Sequence, residues 1–185
     1  MREECCKFLL SSPSGPKGLF LDCTVGGGGH TRALLESGGR VIGLDQDPEA
    51  IAETSGKLHQ YIESGHLELI QTNFQDLVSA IQCSRLAKEF GGRCDGVLMD
   101  LGISSHQIDE PERGFAFKSD GPLDMRMKRH TNNKSDGLFS KDGEHLSSTF
   151  TAAKICNEFH EEDIADILYY YGEENRLLSF EIFCS

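Results

Sequence analysis

Three acidic residues and a run of four glycines are the groups in this chain best placed to do chemistry. Gly26, Gly27, Gly28 and Gly29 follow the stretch Leu19-Phe20-Leu21-Asp22-Cys23-Thr24-Val25, and His30-Thr31-Arg32-Ala33-Leu34-Leu35-Glu36 comes next. Consecutive glycines admit φ > 0 and remove Cβ from one side of a turn, so a ligand can approach the main chain closely. A helix starting near His30 would aim its free N–H groups and the positive end of its dipole at that ligand. Asp22 closes the apolar run before the glycines, Asp45 closes the next one, and Asp100 closes a later one. A lone acid at such a position is ordinarily a loop residue. Three of them beside a glycine turn suit a nucleotide-like ligand whose ribose hydroxyls need an acceptor.

The segments that must position these groups alternate in type. Residues 19–22, 40–45, 67–70 and 95–100 read as short buried strands. Between them lie helical patterns: one from the glycine turn to about residue 37, one from residue 48 through Ile51, Leu58 and Ile62, and one over 75–90. Asp47 can cap the second of these, with Pro48 at its first position. Strands alternating with helices predict an α/β class with a parallel, doubly wound sheet. Right-handed crossovers then gather the carboxyl ends of the strands on one edge, where open α/β sheets bind ligands. Residues 2–11 form a further short amphipathic helix. After Leu101 the alternation stops, and 130–148 reads as irregular and mobile. Helical pattern returns at 151–155 and again at 161–171, where Ile164, Ile167, Leu168 and Tyr171 share a face and Gly172 ends the run.

The bulk composition narrows the function classes. A length of 185 residues suits one domain with a small appendage. No run reaches the ~18 apolar residues of a membrane span, and the acidic, apolar-poor beginning does not read as a signal or transit peptide. Seven cysteines without a C-x-x-C pair, and seven histidines without H-E-x-x-H, suggest neither a disulfide framework nor a metal site. Free thiols fit a reducing compartment, the cytoplasm or an organellar matrix. The net charge of −12 argues against a generic nucleic-acid binder. The charge is uneven, however. Between Arg113 and Lys134 six basic residues stand against two acids, a window of +4 that leaves −16 elsewhere. One basic segment on an acidic body suits a single face that meets a polyanion.

Two nucleotide readings compete at the glycine turn. A dinucleotide fingerprint starting at Gly26 would need glycine where Thr31 stands, and no second nucleotide half is visible. S-adenosylmethionine (SAM) fits better: Asp22-x-Thr24-x-Gly26-x-Gly28 follows a strand, and Asp45 ends the next one. The motif Leu21-Asp22-Cys23-Thr24-Val25-Gly26-Gly27-Gly28-Gly29-His30-Thr31-Arg32-Ala33-Leu34-Leu35 resembles the SAM motif of the RsmH (MraW) methyltransferases. So do Leu44-Asp45-Gln46-Asp47-Pro48, Asp100-Leu101-Gly102-Ile103-Ser104-Ser105, Pro111-Glu112-Arg113-Gly114-Phe115, and Asp120-Gly121-Pro122-Leu123-Asp124-Met125-Arg126-Met127. The resemblance covers about residues 2–176, and the last three elements, in this order, are its most specific part.

What the resemblance implies is a Rossmann-like, class I SAM-dependent methyltransferase with a helical insertion. Residues 1–112 would form the SAM-binding domain and 113–185 the start of a substrate-recognition insertion. The family methylates the exocyclic N4 of a cytidine in the decoding region of small-subunit ribosomal RNA, so the small ribosomal subunit is the implied partner. Carried over by motif position, the SAM contacts fall on Gly28, Gly29, His30, Asp45, Phe74, Asp100 and Gln107. The acceptor of the amine proton stays unassigned, with Asp100 and nearby backbone carbonyls as candidates. Phe115 or Phe117 could stack on the target base, and Arg113, Lys118, Arg126 and Lys128 could hold phosphates.

The chain also departs from the family. The family's insertion and later strands continue well beyond residue 176, and residues 176–185 do not resemble that continuation. The sequence therefore reads as a truncated chain. The alternatives that follow are a SAM-dependent methyltransferase for another acceptor, and a non-catalytic fragment that at most binds SAM.

Overall fold

The computed structural model describes residues 2–127 and 150–173, together with the backbone of two short strands at Gly137–Phe139 and His145–Ser147. Four strands, β1 (Leu19–Asp22), β2 (Arg40–Asp45), β3 (Leu67–Gln71) and β4 (Gly96–Leu98), form a sheet in the order β3-β2-β1-β4, with every pair parallel. The chain steps outward from β1 to β2 to β3, then crosses back to the far side of β1. The order therefore reverses between β1 and β4, and such a reversal opens a crevice at the carboxyl ends of the strands.

Helices cover both faces of this sheet, as the alternation predicts. They are α1 (Arg2–Leu10), α2 (Gly29–Glu36), α3 (Pro48–Lys57), α4 (His59–Glu63), α5 (Leu77–Cys83) and α6 (Arg85–Glu89). On one face Leu19, Leu21, Cys23, Ile42 and Leu44 pack with Ala80 of α5 and with Leu86 and Ala87 of α6. On the other, Phe20, Val41 and Leu67 pack with Cys6 of α1, Leu34 and Leu35 of α2, and Leu58. A strand buried on both faces reads as a continuous apolar run, which is why β1 is legible. Each such leucine stabilises the fold by about 1.5–3 kcal/mol relative to its exposed state.

Three boundaries differ from the expected ones. The strand expected over 95–100 stops at Leu98. Its carbonyl still accepts from Cys23 N–H at 2.9 Å, but Asp100 N–H turns to the Thr24 hydroxyl at 2.8 Å. The helix expected over 75–90 breaks at Ser84, which is extended and caps α6 through a bond from Ala87 N–H. Glu68 of β3 holds that break. Its carboxylate accepts from the Ser84 hydroxyl and from the N–H groups of Arg85 and Leu86 at 3.0–3.3 Å. The helix expected from residue 48 onward is interrupted at Leu58, which separates α3 from α4.

Two compact units emerge: residues 1–109 with 127–129, and residues 110–126 with 130–185. The first contains the sheet and a further short helix, α7 (Ser105–Asp109). The described part of the second holds the loop 110–126 and two helices, α8 (Ala152–Glu158) and α9 (Glu161–Tyr171). The first two N–H groups of α8 donate to the carbonyls of Asp124 and Leu123 at 2.9 and 2.8 Å, and Thr151 caps the helix through Lys154 N–H. Within the stretch expected to be irregular, Gly137–Phe139 (β5) and His145–Ser147 (β6) pair antiparallel. The rest of 130–148, Lys128, and the unmatched residues 176–185 lie outside the described residues. Among the described residues no helix is long and apolar enough to cross a membrane.

Candidate functional site

The glycine turn is held by its own backbone and by its neighbours. Gly26 and Gly28 take φ of +49° and +78°, conformations that L side chains rarely adopt. Gly28 N–H donates to the Val25 carbonyl at 2.8 Å, and Arg32 N–H donates back to the Gly28 carbonyl at 2.9 Å, which starts α2. From α3 the Thr54 hydroxyl donates to the Gly26 carbonyl at 2.9 Å. Asp45 ties the turn to the loop after β2. Its Oδ2 accepts from Gly26 N–H at 2.8 Å and its Oδ1 from Asp47 N–H at 2.9 Å. A carboxylate has about four lone-pair sites, so acceptor capacity remains on Asp45 for a ligand.

A cleft of about 660 Å³ lies beside this turn, at the carboxyl ends of β1, β2 and β3 and along the segment after β4. Of the seven residues expected to contact a cofactor, Gly29, His30, Asp45, Phe74, Asp100 and Gln107 line it. Gly28 does not. It faces the other way, and a Cβ there would sit 3.0 Å from Thr54. Its part is to shape the turn rather than to touch the cleft. Phe74 starts a short turn of 3₁₀ helix after β3, capped by Asn73 through Gln75 N–H, and leaves its ring partly exposed to the cleft. His30 opens α2, and its Nδ1 lies 4.0 Å from Asp100 Oδ2.

Gln107 is placed by a device that the sequence signals but that composition and periodicity pass over. Ser104-Ser105-His106-Gln107 is a capping box. The Ser104 hydroxyl accepts from Gln107 N–H at 3.1 Å, and Gln107 Oε1 accepts from Ser104 N–H at 2.9 Å. Gln107 Nε2 then donates to the Met127 carbonyl at 3.2 Å and to Asp47 Oδ2 at 3.4 Å. Gln107 is thereby buried and braced. Other lining residues also went unpredicted as contacts. Asn73 Nδ2 donates to Gln46 Oε1 at 2.9 Å, which joins the loops after β3 and β2 across the cleft floor. Both were invisible as site residues because each is an ordinary loop amide until the sheet brings the two loops together.

Asp22, though at a strand end like Asp45 and Asp100, lies beneath the cleft and is fully buried. It accepts from Thr24 N–H at 3.2 Å. Burial pushes its carboxyl above the usual range, opposed by hydrogen bonds from Thr31 and Thr24. Cys23 lines the cleft with a thiol that burial pushes up to about 11, which disfavours the thiolate.

The basic segment is partly structural. Arg113 is buried and its Nη2 donates to the Arg126 carbonyl at 3.1 Å. Arg126 forms a two-pronged pair with Asp124, both bonds at 2.7 Å, which raises its already high pKa. These two cations brace the loop 110–126 instead of standing free for phosphates. Lys118 and Phe117 are exposed, Phe117 completely so, while Phe115 is half-buried. Among the described residues no cluster of His, Cys, Asp or Glu is arranged to hold a metal ion.

Comparison with known proteins adds what this geometry cannot. The family model described as the MraW methylase family matches residues 1–141. Proteins named ribosomal RNA small subunit methyltransferase H are 44% identical to this chain in Heliobacterium mobile and in Heliobacterium modesticaldum, over 86% of this chain in each case. The protein of that name from Prochlorococcus marinus is 40% identical over 95% of this chain. The chain spans only 45%, 44% and 49% of the length of these three curated relatives. With its glycine turn, its three cleft acids Asp45, Asp47 and Asp100 and its braced 110–126 loop all inside the matched region, the chain belongs to the MraW methylase family.

Proposed function

We propose that the cleft binds SAM and that the protein to which this chain corresponds methylates the exocyclic N4 of a cytidine in small-subunit ribosomal RNA. The observation that carries the cofactor half is the position of Asp45. It lies at the end of β2, on the same cleft as Phe74 and the glycine turn. Asp45 suits a ribose diol, the ring of Phe74 suits the apolar face of adenine, and Gly29 with His30 suits the polar amino-acid end. The fit rests on space as well as on charge. A turn with positive φ at Gly26 keeps side chains out of the cleft floor, and the half-buried carboxylate of Asp45 retains acceptor capacity.

SAM supplies an electrophilic methyl when bound. The remaining work falls to the chain. An aryl amine is a poor nucleophile because its lone pair is delocalised into the ring, so the protein must hold that nitrogen in line. Positioning of this kind contributes on the order of 7–11 kcal/mol. Asp100 is exposed at the cleft, and the loop of Leu101, Gly102 and Ile103 borders it. Either could accept an amine proton. Phe117 and Lys118, both exposed, are candidates for base stacking and for an RNA phosphate. The relatives' shared name supports ribosomal RNA as the substrate class.

Calorimetry with SAM, followed by transfer of labelled methyl to isolated small ribosomal subunits, tests both halves. Binding with transfer to a cytidine amine is the expected result. Binding without transfer to any acceptor would leave this chain a SAM-binding fragment, and absence of binding would overturn the cofactor assignment.

A further inference from the structure

Asp45 is the last residue of β2 and stands opposite Gln71, the last residue of β3. Thr72 N–H donates to the Asp45 carbonyl at 2.9 Å, so the two segments are still paired as they leave the sheet. Gln46 and Asn73 then emerge as neighbours on the cleft, both half-buried, and Asn73 Nδ2 donates to Gln46 Oε1 at 2.9 Å.

The direction of that bond is set by the backbone. Gln75 N–H can only donate, and it donates to Asn73 Oδ1 at 2.9 Å, which fixes the side of the Asn73 amide that carries oxygen. The Asn73 NH2 group must then face Gln46, and Gln46 must answer with its own oxygen. What is left over is nitrogen. Gln46 Nε2 makes no hydrogen bond within the described residues, and Asn73 Nδ2 keeps a second N–H. The pair therefore meets the cleft as donors.

A pair of donors selects an acceptor. An adenine base has acceptors at its ring nitrogens N1, N3 and N7, whereas its exocyclic amine is a donor. Gln46 follows Asp45, read above as the ribose contact, and Asn73 precedes Phe74, read as the contact to the adenine face. The amide pair thus belongs to the part of the cleft that would hold the base.

We propose that Gln46 is a specificity residue that donates to a ring nitrogen of the adenine, and that Asn73 is a positioning residue that sets the direction of the Gln46 amide. This rests on the cleft being the SAM site.

The test uses S-adenosylhomocysteine, the demethylated cofactor, and the three analogues in which N1, N3 or N7 of its base is replaced by C–H. Calorimetry gives the affinities for the parent and for Asn73→Asp. The substitution keeps an acceptor for Gln75 N–H and presents a second oxygen to Gln46. The Gln46 amide must then turn, donate to that oxygen and show its own oxygen to the cleft. In the parent, one analogue should bind on the order of five-fold more weakly than S-adenosylhomocysteine. In Asn73→Asp that ratio should fall to unity or below, because an oxygen does not reward a ring nitrogen. A role confined to tying the two loops together predicts the opposite, since the substitution keeps both bonds and would leave the ratio unmoved.

Equal affinity of the parent for all four compounds would overturn the assignment of Gln46, and a ratio retained in Asn73→Asp would overturn the relay. Should Asn73→Asp fail to fold, Gln46→Glu keeps the oxygen that Asn73 needs and replaces the free nitrogen by a second oxygen. The same loss of ratio is expected there, and its persistence overturns the proposal. If the parent binds none of the four, the cofactor reading fails and the proposal falls with it. If it binds all four equally while Asp45→Ala weakens that binding, the cofactor reading stands and only the amide pair is refuted.

Discussion

The Thr31 hydroxyl donates to Asp22 Oδ2 at 2.7 Å, and both side chains are fully buried. The bond joins the end of β1 to the first turn of α2, so it spans the glycine turn from below. The conformation of the turn thus depends on a carboxyl group that water does not reach.

This relationship makes stability depend on pH in a defined direction. The folded carboxyl of Asp22 titrates above its unfolded value because burial disfavours its charge. Its contribution to stability is therefore fully present below the unfolded value, about 3.9, and is lost as pH rises through the higher folded value. Asp22→Asn keeps an acceptor for Thr31 and carries no charge. In urea melts the stability of Asp22→Asn relative to the parent should rise as the pH is raised from about 4. Parallel stability curves for the two proteins would contradict this account of Asp22.

Asp45 holds two backbone N–H groups as well as facing the cleft, so its loss should register twice. Asp45→Ala should destabilise the chain by about 1.5–3 kcal/mol, the range for hydrogen bonds to a charged group. It should also weaken SAM binding at least ten-fold, about 1.4 kcal/mol. Thermal melts and calorimetry measure the two effects separately. Unchanged SAM affinity in a folded Asp45→Ala protein would remove Asp45 from the ribose role.

Gly28 separates shaping from contact. Gly28→Ala forces an L side chain to φ of +78° and places Cβ 3.0 Å from both Cγ2 and Oγ1 of Thr54. A loss of about 1–3 kcal/mol is expected on denaturation. Because Gly28 is not on the cleft lining, SAM affinity should fall only as far as the turn is displaced. Rescue of affinity by a low temperature that restores folding would mark the effect as indirect.

The basic segment divides into braces and free charges, and salt dependence tells them apart. Lys118→Ala should leave the melting temperature unchanged and reduce the slope of log affinity for RNA against log salt by about 1. Arg113→Ala removes a buried guanidinium and its bond to the Arg126 carbonyl, so it should lower stability by at least about 1.5–3 kcal/mol. Its effect on RNA binding should follow the loss of folding, with no separate change of salt slope in the folded fraction. A lower slope for folded Arg113→Ala would return that residue to the phosphate contacts.

Sequence alone determined the layered fold and which strand ends and turn border the cleft. Strands buried on both faces read as unbroken apolar runs, as in Leu19-Phe20-Leu21. The Asp47-Pro48 cap and the glycine run are local signals that need no partner. Their order along the chain was enough to place Asp45, His30 and Asp100 at one edge of a parallel sheet.

Tertiary structure decided which polar groups reach that edge and which are consumed beneath or beside it. Asp22 and Asp45 look alike in sequence, yet one is buried under Thr31 and the other lines the cleft. Arg113 and Lys118 look alike too, yet one is buried in the loop and the other is exposed. Glu68 broke a helix from a neighbouring strand, a long-range contact that periodicity does not encode. The physical reason is common to all three. Charge and spacing are properties of the chain, whereas burial and hydrogen-bond partners exist only once distant segments meet.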